Sequence, residues 1–465
     1  MNYTKFVDRE EERTFLKQAL DSKDFQLIPV WGRRRTGKTA LLLQALGARG
    51  VYFLATETAD IDNLKRFRDD GARSLNDPTL GSLELNWETM FKYLAPKGIP
   101  IIIDEFPYLV SSNPAIPSMF QRIVDLYLKE TSTKLILCGS SVRMMESHVL
   151  DYKAPLYGRR TGQINLRPLR FEFLREFFPD YSLEDLVRVF GATGGVPLYL
   201  MQFDPKKNFW DNIGSSILNI NAILYAEADF LLKEEFTHAA TYRSILHEIA
   251  SGKTQMEEIR TSLGLNKSDI SPYLNNLESV GFVKREVPVT EDPARSRRGV
   301  YRISDNYLNF HFRYVLSAQT MIESKMTKGV LDGIRQDYDT YLGPIFEQVV
   351  TEAFLKWSAE NGLAWERVGR WWYKEAELDL VALSSSRNEI LSAEVKWRRR
   401  QATVKDVMAL LEKTSEVRWG APGCKYRHLF VSRGGFTKDC VRLMDEKGIL
   451  HWALEDIAKI FWGKK

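Results

Sequence analysis

A glycine-containing octapeptide near the N-terminus has the residue types that hold the phosphates of a nucleotide. The segment "GRRRTGKT" at 32–39 follows an apolar stretch and precedes a helix-forming one, which is the context that a phosphate-binding loop requires. Its backbone N–H groups are expected to close around the β-phosphate, while Lys38 reaches the β- and γ-phosphates and Thr39 offers its hydroxyl to Mg²⁺. The predicted ATP-contacting residues of the loop are Gly32, Arg33, Arg34, Arg35, Thr36, Gly37, Lys38, Thr39 and Ala40.

Two further segments carry the acidic and hydroxyl groups that ATP hydrolysis needs. "IPIIIDEF" places Asp104 at the end of a buried strand, where it is expected to bind Mg²⁺ through water, and Glu105 next to it is expected to polarise the attacking water. "LILCGSS" ends a second strand with Ser140 and Ser141, which are small enough to contact the γ-phosphate. Capping of the following helix is the alternative role for these serines.

A third set of residues, near the C-terminus, suits metal-dependent phosphodiester chemistry. "AEVKW" holds Glu394 and Lys396 two residues apart, so both side chains point to one face of a strand. The preceding antiparallel strand can bring Asp379 to that face. Glu347 lies on an upstream helix, and its carboxylate is expected to complete the metal shell. Asp379 and Glu394, with the Val395 carbonyl, are predicted to hold one or two Mg²⁺ ions, while Lys396 orients a water or stabilises the developing charge. An ordinary charged surface hairpin is the alternative.

Residues around this hairpin have two interpretations each. Glu377 is an additional acid on the same strand face as Asp379. "WRRR" after Lys396 suits a phosphate-facing surface, or a solvated basic turn. "RWWYK" at 370–374 suits stacking on bases, or core packing.

The elements that must position these residues predict an α/β protein. Continuous apolar strands, "FQLIPVWG", "VYFLAT", "IPIIIDEF" and "KLILCGS", alternate with helices in the first part, which predicts a parallel sheet covered on both faces. A helical lid follows, then three helices and a two-stranded ribbon typical of a winged helix-turn-helix. The last part has a helix–three strands–helix–strand order. The predicted domains are an ATPase core at 1–160, the lid at 161–237, the winged helix at 238–305, a connector at 306–337 and a C-terminal α/β domain at 338–465.

Composition narrows the location and the partners. The chain has 465 residues and a net charge of only +4, so any nucleic-acid partner must be recognised by local clusters such as 294–298 and 398–400. Three scattered cysteines indicate reduced thiols and an intracellular location. The N-terminus lacks the apolar stretch of a signal peptide, and no apolar run is long enough to span a bilayer. We expect a cytoplasmic protein with no membrane partner.

Several motifs in one order carry a resemblance to a known family. They are "FVDREEE" at 6–12, "GRRRTGKT", "IIIDEF", "LCGSS", "YGRRTGQINLRPL" at 157–169 and "GGVPLYL" at 194–200. Together they resemble the archaeal ATPases of the AAA-related STAND group, in many of which a C-terminal domain follows the ATPase. The resemblance implies an ATP-binding switch protein with a winged helix behind the ATPase core.

The same resemblance implies roles for residues outside the loop. Gly195 and Pro197 of "GGVP" would lie where the lid meets the nucleotide, and residues near Phe6 and Arg9 would approach the adenine. Arg159 or Arg160 would act as an arginine finger. A solvated loop or a salt bridge between lid and core is the alternative for these two arginines.

The C-terminal acids resemble those of the PD-(D/E)XK nuclease superfamily, with one helix acid, one strand acid and E-x-K on the next strand. A proline before the first aspartate, frequent in that superfamily, is missing here. The winged helix indicates DNA binding, although its recognition helix at 268–279 is poor in Lys and Arg. Arg295, Arg297 and Arg298 on the wing are candidates to hold phosphate, and a purely structural module is the alternative.

Two functions are compatible with the sequence. The first is an ATP-dependent DNA-processing enzyme with ATP and Mg²⁺ as cofactors; its predicted catalytic residues are Lys38, Glu105, Asp379, Glu394 and Lys396, and its predicted metal ligands are Thr39, Asp104, Glu347, Asp379 and Glu394. The second is a regulatory switch whose nuclease-like domain binds nucleic acid or protein without cutting. The oligomeric state stays open, because an arginine finger in trans would require an oligomer.

Overall fold

The computed structural model describes residues 6–47 and 49–463 in two compact units. The first unit comprises the chain up to Leu169 together with Val196–Leu198, and the second comprises Arg170–Gly195 and the chain from Tyr199 onward. Within the described ranges, none of the helices combines the length and the apolarity that a bilayer-spanning segment needs.

A five-stranded parallel sheet forms the centre of the first unit. Its strands are β1 (Gln26–Trp31), β2 (Val51–Leu54), β3 (Pro100–Asp104), β4 (Lys134–Gly139) and β5 (Ile164–Asn165), in the order β2-β3-β4-β1-β5. All four pairings are parallel. Two separate clusters of buried apolar side chains pack on the sheet, as expected for near-continuous apolar strands. The predicted α/β fold is confirmed.

Eight α-helices accompany this sheet within the described residues. They are α1 (Glu10–Asp21), α2 (Lys38–Leu46), α3 (Asp60–Ser74), α4 (Pro78–Gly81), α5 (Trp87–Leu94), α6 (Phe106–Ser112), α7 (Ile116–Ile123) and α8 (Val142–Met145). The sequence predicted four strands, and β5 is a fifth that lies in the segment assigned to the lid. It has only two residues, too few to show a pattern, and the bond from Leu166 N to Trp31 O, at 2.7 Å, continues its pairing with β1.

Helices and one antiparallel ribbon form the first part of the second unit. The helices are α9 (Leu174–Phe177), α10 (Leu183–Thr193), α11 (Pro197–Leu200, which begins in the first unit), α12 (Phe209–Asn212), α13 (Ile223–Glu235), α14 (Ala239–Ala250), α15 (Met256–Ser262), α16 (Lys267–Ser279), α17 (Asn306–Phe310) and α18 (Gln319–Glu323). The ribbon pairs β6 (Val283–Glu286) with β7 (Val300–Ile303). Three helices and a ribbon therefore occur where the winged helix-turn-helix is predicted.

A mixed sheet forms the C-terminal part of the second unit. Its elements are α19 (Thr327–Glu360), β8 (Arg367–Tyr373), β9 (Ala376–Ser384), β10 (Glu389–Lys396), α20 (Val404–Ser415), β11 (Lys425–Ser432), α21 (Lys438–Glu446), β12 (Leu450–Trp452) and α22 (Leu454–Trp462). The strand order is β12-β11-β10-β9-β8, with β8, β9 and β10 antiparallel and β10, β11 and β12 parallel. The helix α19 runs without interruption across residue 338, where the sequence predicted a domain boundary.

Candidate functional site

The loop between β1 and α2 closes around the side chain of Lys38. The Lys38 Nζ donates to the carbonyls of Gly32 and Arg33, at 2.8 and 2.9 Å. Gly32 and Gly37 have φ angles of 144° and 95°, which glycine adopts without strain. A Cβ at Gly32 would lie 2.3 Å from the Leu166 carbonyl oxygen, so this position requires glycine for space as well. Burial lowers the pKa of Lys38, and neighbouring acidic groups oppose that shift.

Asp104 lies at the end of β3 and connects three groups. Its Oδ2 accepts from the Thr39 hydroxyl at 2.7 Å and from the Tyr52 hydroxyl at 2.9 Å, and its Oδ1 accepts from the Glu105 N–H at 3.0 Å. Asp104 is 1% exposed. The structure therefore brings the two predicted Mg²⁺ ligands of the loop, Thr39 and Asp104, into direct contact.

Tyr52 is a site residue that the sequence reasoning missed. It lies on β2 beside β3, and burial followed by the charge of Asp104 raises the pKa of its hydroxyl. The available signal was a single polar group in the otherwise apolar strand "VYFL". Only the strand order, with β2 next to β3, shows that this group lies beside Asp104.

Glu105 is bound to the end of the neighbouring strand. Its backbone is left-handed, with φ 55° and ψ 44°, and its Oε2 accepts from the backbone N–H and the hydroxyl of Ser140, at 3.1 and 2.9 Å. Ser141, one residue later, occupies the N-cap position of α8 without a side-chain capping bond. Ser140 is therefore a partner of Glu105 rather than a helix cap.

The remaining residues of the loop support its shape. Thr36 is buried and its hydroxyl donates to the Arg33 carbonyl at 2.8 Å. Arg34 donates to the Tyr108 hydroxyl at 3.2 Å. Arg35 has a left-handed backbone, with φ 69°, and Ala40 is half-buried in the first turn of α2.

The buried side chain of Arg9 forms a hydrogen bond with the backbone of the phosphate loop. Its guanidinium donates to the Thr36 carbonyl at 3.3 Å and to the Arg167 carbonyl at 2.6 Å, and the residue is only 5% exposed. Phe6 is half-buried, with the Arg13 guanidinium 5.8 Å from its ring centre. The approach of Phe6 and Arg9 to an adenine stays a prediction.

The two candidate arginine fingers have different partners. Arg159 forms a two-pronged salt bridge with Asp125, at 2.8 and 2.6 Å. Arg160 donates to the Gln163 side chain at 2.6 Å and lies 4.6 Å from the Tyr157 ring centre. The salt-bridge alternative therefore describes Arg159, although its partner is within the first unit. Of the "GGVP" pair, Pro197 belongs to the first unit and Gly195 to the second.

The C-terminal candidate site lies where β9 and β10 separate. The two strands pair as far as Leu380 and Ala393. Beyond that point the Val395 N–H donates to the Asp379 carboxylate, at 2.8 Å. Burial, followed by the charge of Glu394, raises the pKa of Asp379. The predicted pair Asp379 and Glu394 is thus brought together.

Glu394 has two lysine partners. Lys396, on the same strand, forms an ion pair with it. Lys413, on α20, contacts both of its carboxylate oxygens, at 2.9 and 3.0 Å. Burial works against the charge of Lys396, but Glu394 and Asp379 outweigh that effect and raise its pKa. Lys413 was missed by the sequence reasoning, because nothing in the sequence shows which face of α20 packs beside Glu394.

Glu347 and Glu377 share one arginine. Arg370 forms ion pairs with both. Burial, followed by the charge of Asp379, raises the pKa of Glu347, and Arg370 opposes that shift. In the described part of the chain, no three Asp, Glu, His or Cys side chains are grouped so that they could hold one metal ion. Glu347 is paired with Arg370, and its predicted role as a metal ligand stays a prediction, as do those of Asp379 and Glu394.

The wing packs on the edge strand of the C-terminal sheet. Val289 N–H donates to the Arg370 carbonyl at 2.9 Å. Arg298 donates to the Trp372 carbonyl at 3.0 Å and pairs with Glu291. Arg295 and Arg297 are exposed. Arg298 is half-buried, so Arg295 and Arg297 are the more exposed of the three wing arginines.

The aromatic segment "RWWYK" and the basic segment "WRRR" near the site each contain both buried or paired residues and exposed ones. Trp371 is 3% exposed and belongs to the core, whereas Tyr373 is 43% exposed. In "WRRR", Arg398 pairs with Asp406 at 2.7 Å, while the side chains of Arg399 and Arg400 are 79% and 72% exposed. Core packing thus describes Trp371, whereas Arg399 and Arg400 are largely exposed and lie 3.9 and 4.0 Å from the carboxylates of Asp339 and Asp406.

Comparisons with known proteins give matches along most of the chain. A family model described as an ATPase domain predominantly from Archaea matches residues 6–203, and one described as Archaea bacterial proteins of unknown function matches residues 311–410. An uncharacterised protein of Methanocaldococcus jannaschii is 43% identical over 398 residues, or 84% of this chain and 88% of that protein. A Walker-type ATPase of Pyrococcus abyssi has a similar fold, with a TM-score of 0.52 and 21% identity over 67% of this chain and 97% of that chain.

Proposed function

We propose that this chain, which belongs to the family of archaeal P-loop ATPases, carries a Mg²⁺-dependent nuclease site acting on DNA in its second unit. The observation that carries this proposal is the separation of β9 and β10, where the Val395 N–H donates to the Asp379 carboxylate and the neighbouring Glu394 pairs with Lys396. Carboxylate oxygens are the ligands that Mg²⁺ prefers, and a neighbouring lysine supplies the charge that phosphodiester chemistry needs.

In the first unit, the chain's own residues are arranged for ATP hydrolysis. Lys38 exchanges its two carbonyl partners for the phosphates, and Thr39 and Asp104 offer oxygens to Mg²⁺, which neutralises phosphate charge when bound. Glu105 orients the attacking water, and Ser140 holds the Glu105 carboxylate at the end of β4. Arg160 is the better candidate for the arginine finger, because Arg159 is held by Asp125.

In the second unit, the proposed chemistry is hydrolysis of a phosphodiester. Asp379 and Glu394 would hold Mg²⁺, and the chemistry that the ion would supply when bound is to make a water more acidic. Lys396 orients that water or stabilises the charge that develops on the phosphate oxygens. The exposed arginines 399 and 400 attract the backbone of DNA.

Two substitutions separate the two activities. Lys38→Ala is expected to abolish ATP hydrolysis, and Asp379→Ala to abolish Mg²⁺-dependent DNA cleavage while ATP hydrolysis continues. Both are measured on the full chain with an array of DNA structures, with and without ATP. Glu375→Ala is the matched control, because Glu375 is an exposed acid in the turn before β9. Absence of cleavage of every substrate with Mg²⁺ and with Mn²⁺ would remove the nuclease half of the proposal.

A second candidate is an ATP-dependent switch whose C-terminal domain binds nucleic acid without cutting it. The ion pairs at the site favour it, since Glu347 is paired with Arg370 and Glu394 with two lysines. The packing of the wing on β8 also suits a structural connection within the second unit. Salt-dependent DNA binding without cleavage, and no Mn²⁺ between Asp379 and Glu394 in a soaked crystal, would favour this candidate.

A further inference from the structure

Two lysines from different elements hold one buried carboxylate at the C-terminal site. Lys396 belongs to β10 and Lys413 to α20, and both ammonium groups pair with Glu394. The Glu394 side chain is 5% exposed, whereas each lysine side chain is 30% exposed. The anion is therefore inside the protein, and both cations extend from it toward the surface.

The positive charges of Lys396 and Lys413 are neutralised only while Glu394 remains paired with these two lysines. Glu394 and Asp379 offset the two lysines, and the other cations nearby already have acidic partners: Arg370 pairs with Glu347 and Glu377, and Arg398 with Asp406. A divalent cation on Asp379 and Glu394 takes the oxygens that Lys413 and Lys396 now contact. Two partly buried ammonium groups then lose their anion, which is unfavourable unless another anion replaces it.

We infer that Lys396 and Lys413 form a phosphate-binding pair for a nucleic-acid backbone, and that Glu394 withholds this pair until a divalent cation binds. The inference rests on the proposed function, because it concerns the same site, and it adds Lys413 and a direction of coupling. Without the cation, Glu394 competes with the phosphate for both lysines. With the cation, the lysines are released to the phosphate. The cation and the nucleic acid therefore strengthen each other's binding, and by linkage the two effects are equal.

The test measures DNA binding rather than cleavage. The full-length protein is titrated into a short fluorescently labelled DNA duplex, in EDTA and in Ca²⁺, and anisotropy gives the Kd. For the wild-type protein, Ca²⁺ is expected to tighten binding by about 5- to 150-fold, the usual range of coupling between two sites. For E394Q, whose neutral amide cannot hold the lysines as ion pairs, binding in EDTA is expected to be tighter than wild type and to respond little to Ca²⁺.

Lys413 is tested by a matched pair of variants on one helix. K413M is expected to lower the affinity in Ca²⁺ by about tenfold and to reduce the salt slope by about one ion, as loss of one phosphate contact does. K413R is expected to restore most of both. K405M removes the same charge from an exposed position of α20 and reports the non-specific loss alone.

The outcomes separate this inference from the proposed function. Equal wild-type affinity in EDTA and Ca²⁺, together with E394Q no tighter than wild type in EDTA, overturns the inference even if DNA is cut. K413M indistinguishable from K405M also overturns it. Cation-dependent binding with the expected signs supports it even if no DNA is ever cut, in which case only the nuclease proposal fails. Circular dichroism and ATP hydrolysis verify folding, and if K413M does not fold, the E394Q comparison decides.

Discussion

Arg9→Ala is expected to destabilise the nucleotide-free first unit without changing its preference for ATP over GTP. The Arg9 guanidinium is buried and donates to the Arg167 carbonyl at 2.6 Å and the Thr36 carbonyl at 3.3 Å. A hydrogen bond from a charged group contributes about 1.5–3 kcal/mol to stability. The longer bond lies beyond the usual range and contributes less. We therefore expect a loss of about 2–4 kcal/mol in the free energy of unfolding.

A second substitution separates the side chain from the backbone. Arg9 has a left-handed backbone, with φ 78° and ψ 22°, which costs a non-glycine residue roughly 1–2 kcal/mol. Arg9→Gly loses the same two hydrogen bonds but removes this strain. It should therefore be destabilised less than Arg9→Ala by about 1 kcal/mol.

The assay combines urea denaturation, followed by circular dichroism, with the KM for ATP and for GTP. If Arg9 supports the loop, both variants unfold at lower urea, and the KM rises equally for the two nucleotides. If Arg9 instead contacts the base, the denaturation midpoint stays at the wild-type value, and the KM rises for ATP alone. That second result would refute the assignment of Arg9 as a support of the phosphate loop.

Three further predictions concern other parts of the chain. If Arg160 is the arginine finger, Arg160→Ala should lower the kcat for ATP hydrolysis by about 10³-fold or more. Arg159→Ala should instead lower the melting temperature, because it loses the salt bridge to Asp125, and should affect kcat less. Equal losses of kcat in the two variants would contradict the assignment of Arg160. Arg295→Ala and Arg297→Ala should each reduce the salt slope of DNA binding by about one without changing the stability of the protein. Arg298→Ala should lower the stability, because Arg298 donates a hydrogen bond from the wing to the Trp372 carbonyl. A loss of stability in all three variants would contradict this distinction. Burial raises the pKa of Glu352 from its ordinary 4.5 to about 7. The protonated Glu352 therefore contributes fully to the free energy of unfolding below pH 4.5, and about 3 kcal/mol of that free energy is lost as the pH rises to 7. Glu352→Gln should remove this pH dependence of the unfolding free energy, and an unchanged pH profile would contradict the prediction.

The phosphate loop could be predicted because its chemistry depends on neighbours in sequence. Gly32, Gly37, Lys38 and Thr39 are placed by one turn between a strand and a helix, and Asp104 by the end of an apolar strand. The structure brings Thr39 and Asp104 together as those two patterns imply. The hairpin of β9 and β10 was predictable for the same reason, since its two acids are separated by one turn.

The partners that come from distant elements could not be predicted. Tyr52 reaches Asp104 because β2 lies beside β3, and Lys413 reaches Glu394 because of the way α20 packs on the sheet. Arg370 received no role of its own in the sequence reasoning, although its guanidinium lies between two acids. In each case the residue type is ordinary and the function depends on tertiary packing, which single-sequence periodicity does not contain.

The long helix α19 limits how the protein can be divided into fragments. It has 34 residues, or about 50 Å at the usual helical rise. Near its middle, the hydroxyls of Tyr338 and Tyr341 each donate at 2.7 Å to carbonyls of α10, those of Arg188 and Gly191. A C-terminal fragment cut at residue 338 would break the helix and lose the partners of both tyrosines. Since α10 precedes Val196–Leu198, which belong to the first unit, no single cut in the chain yields both units whole.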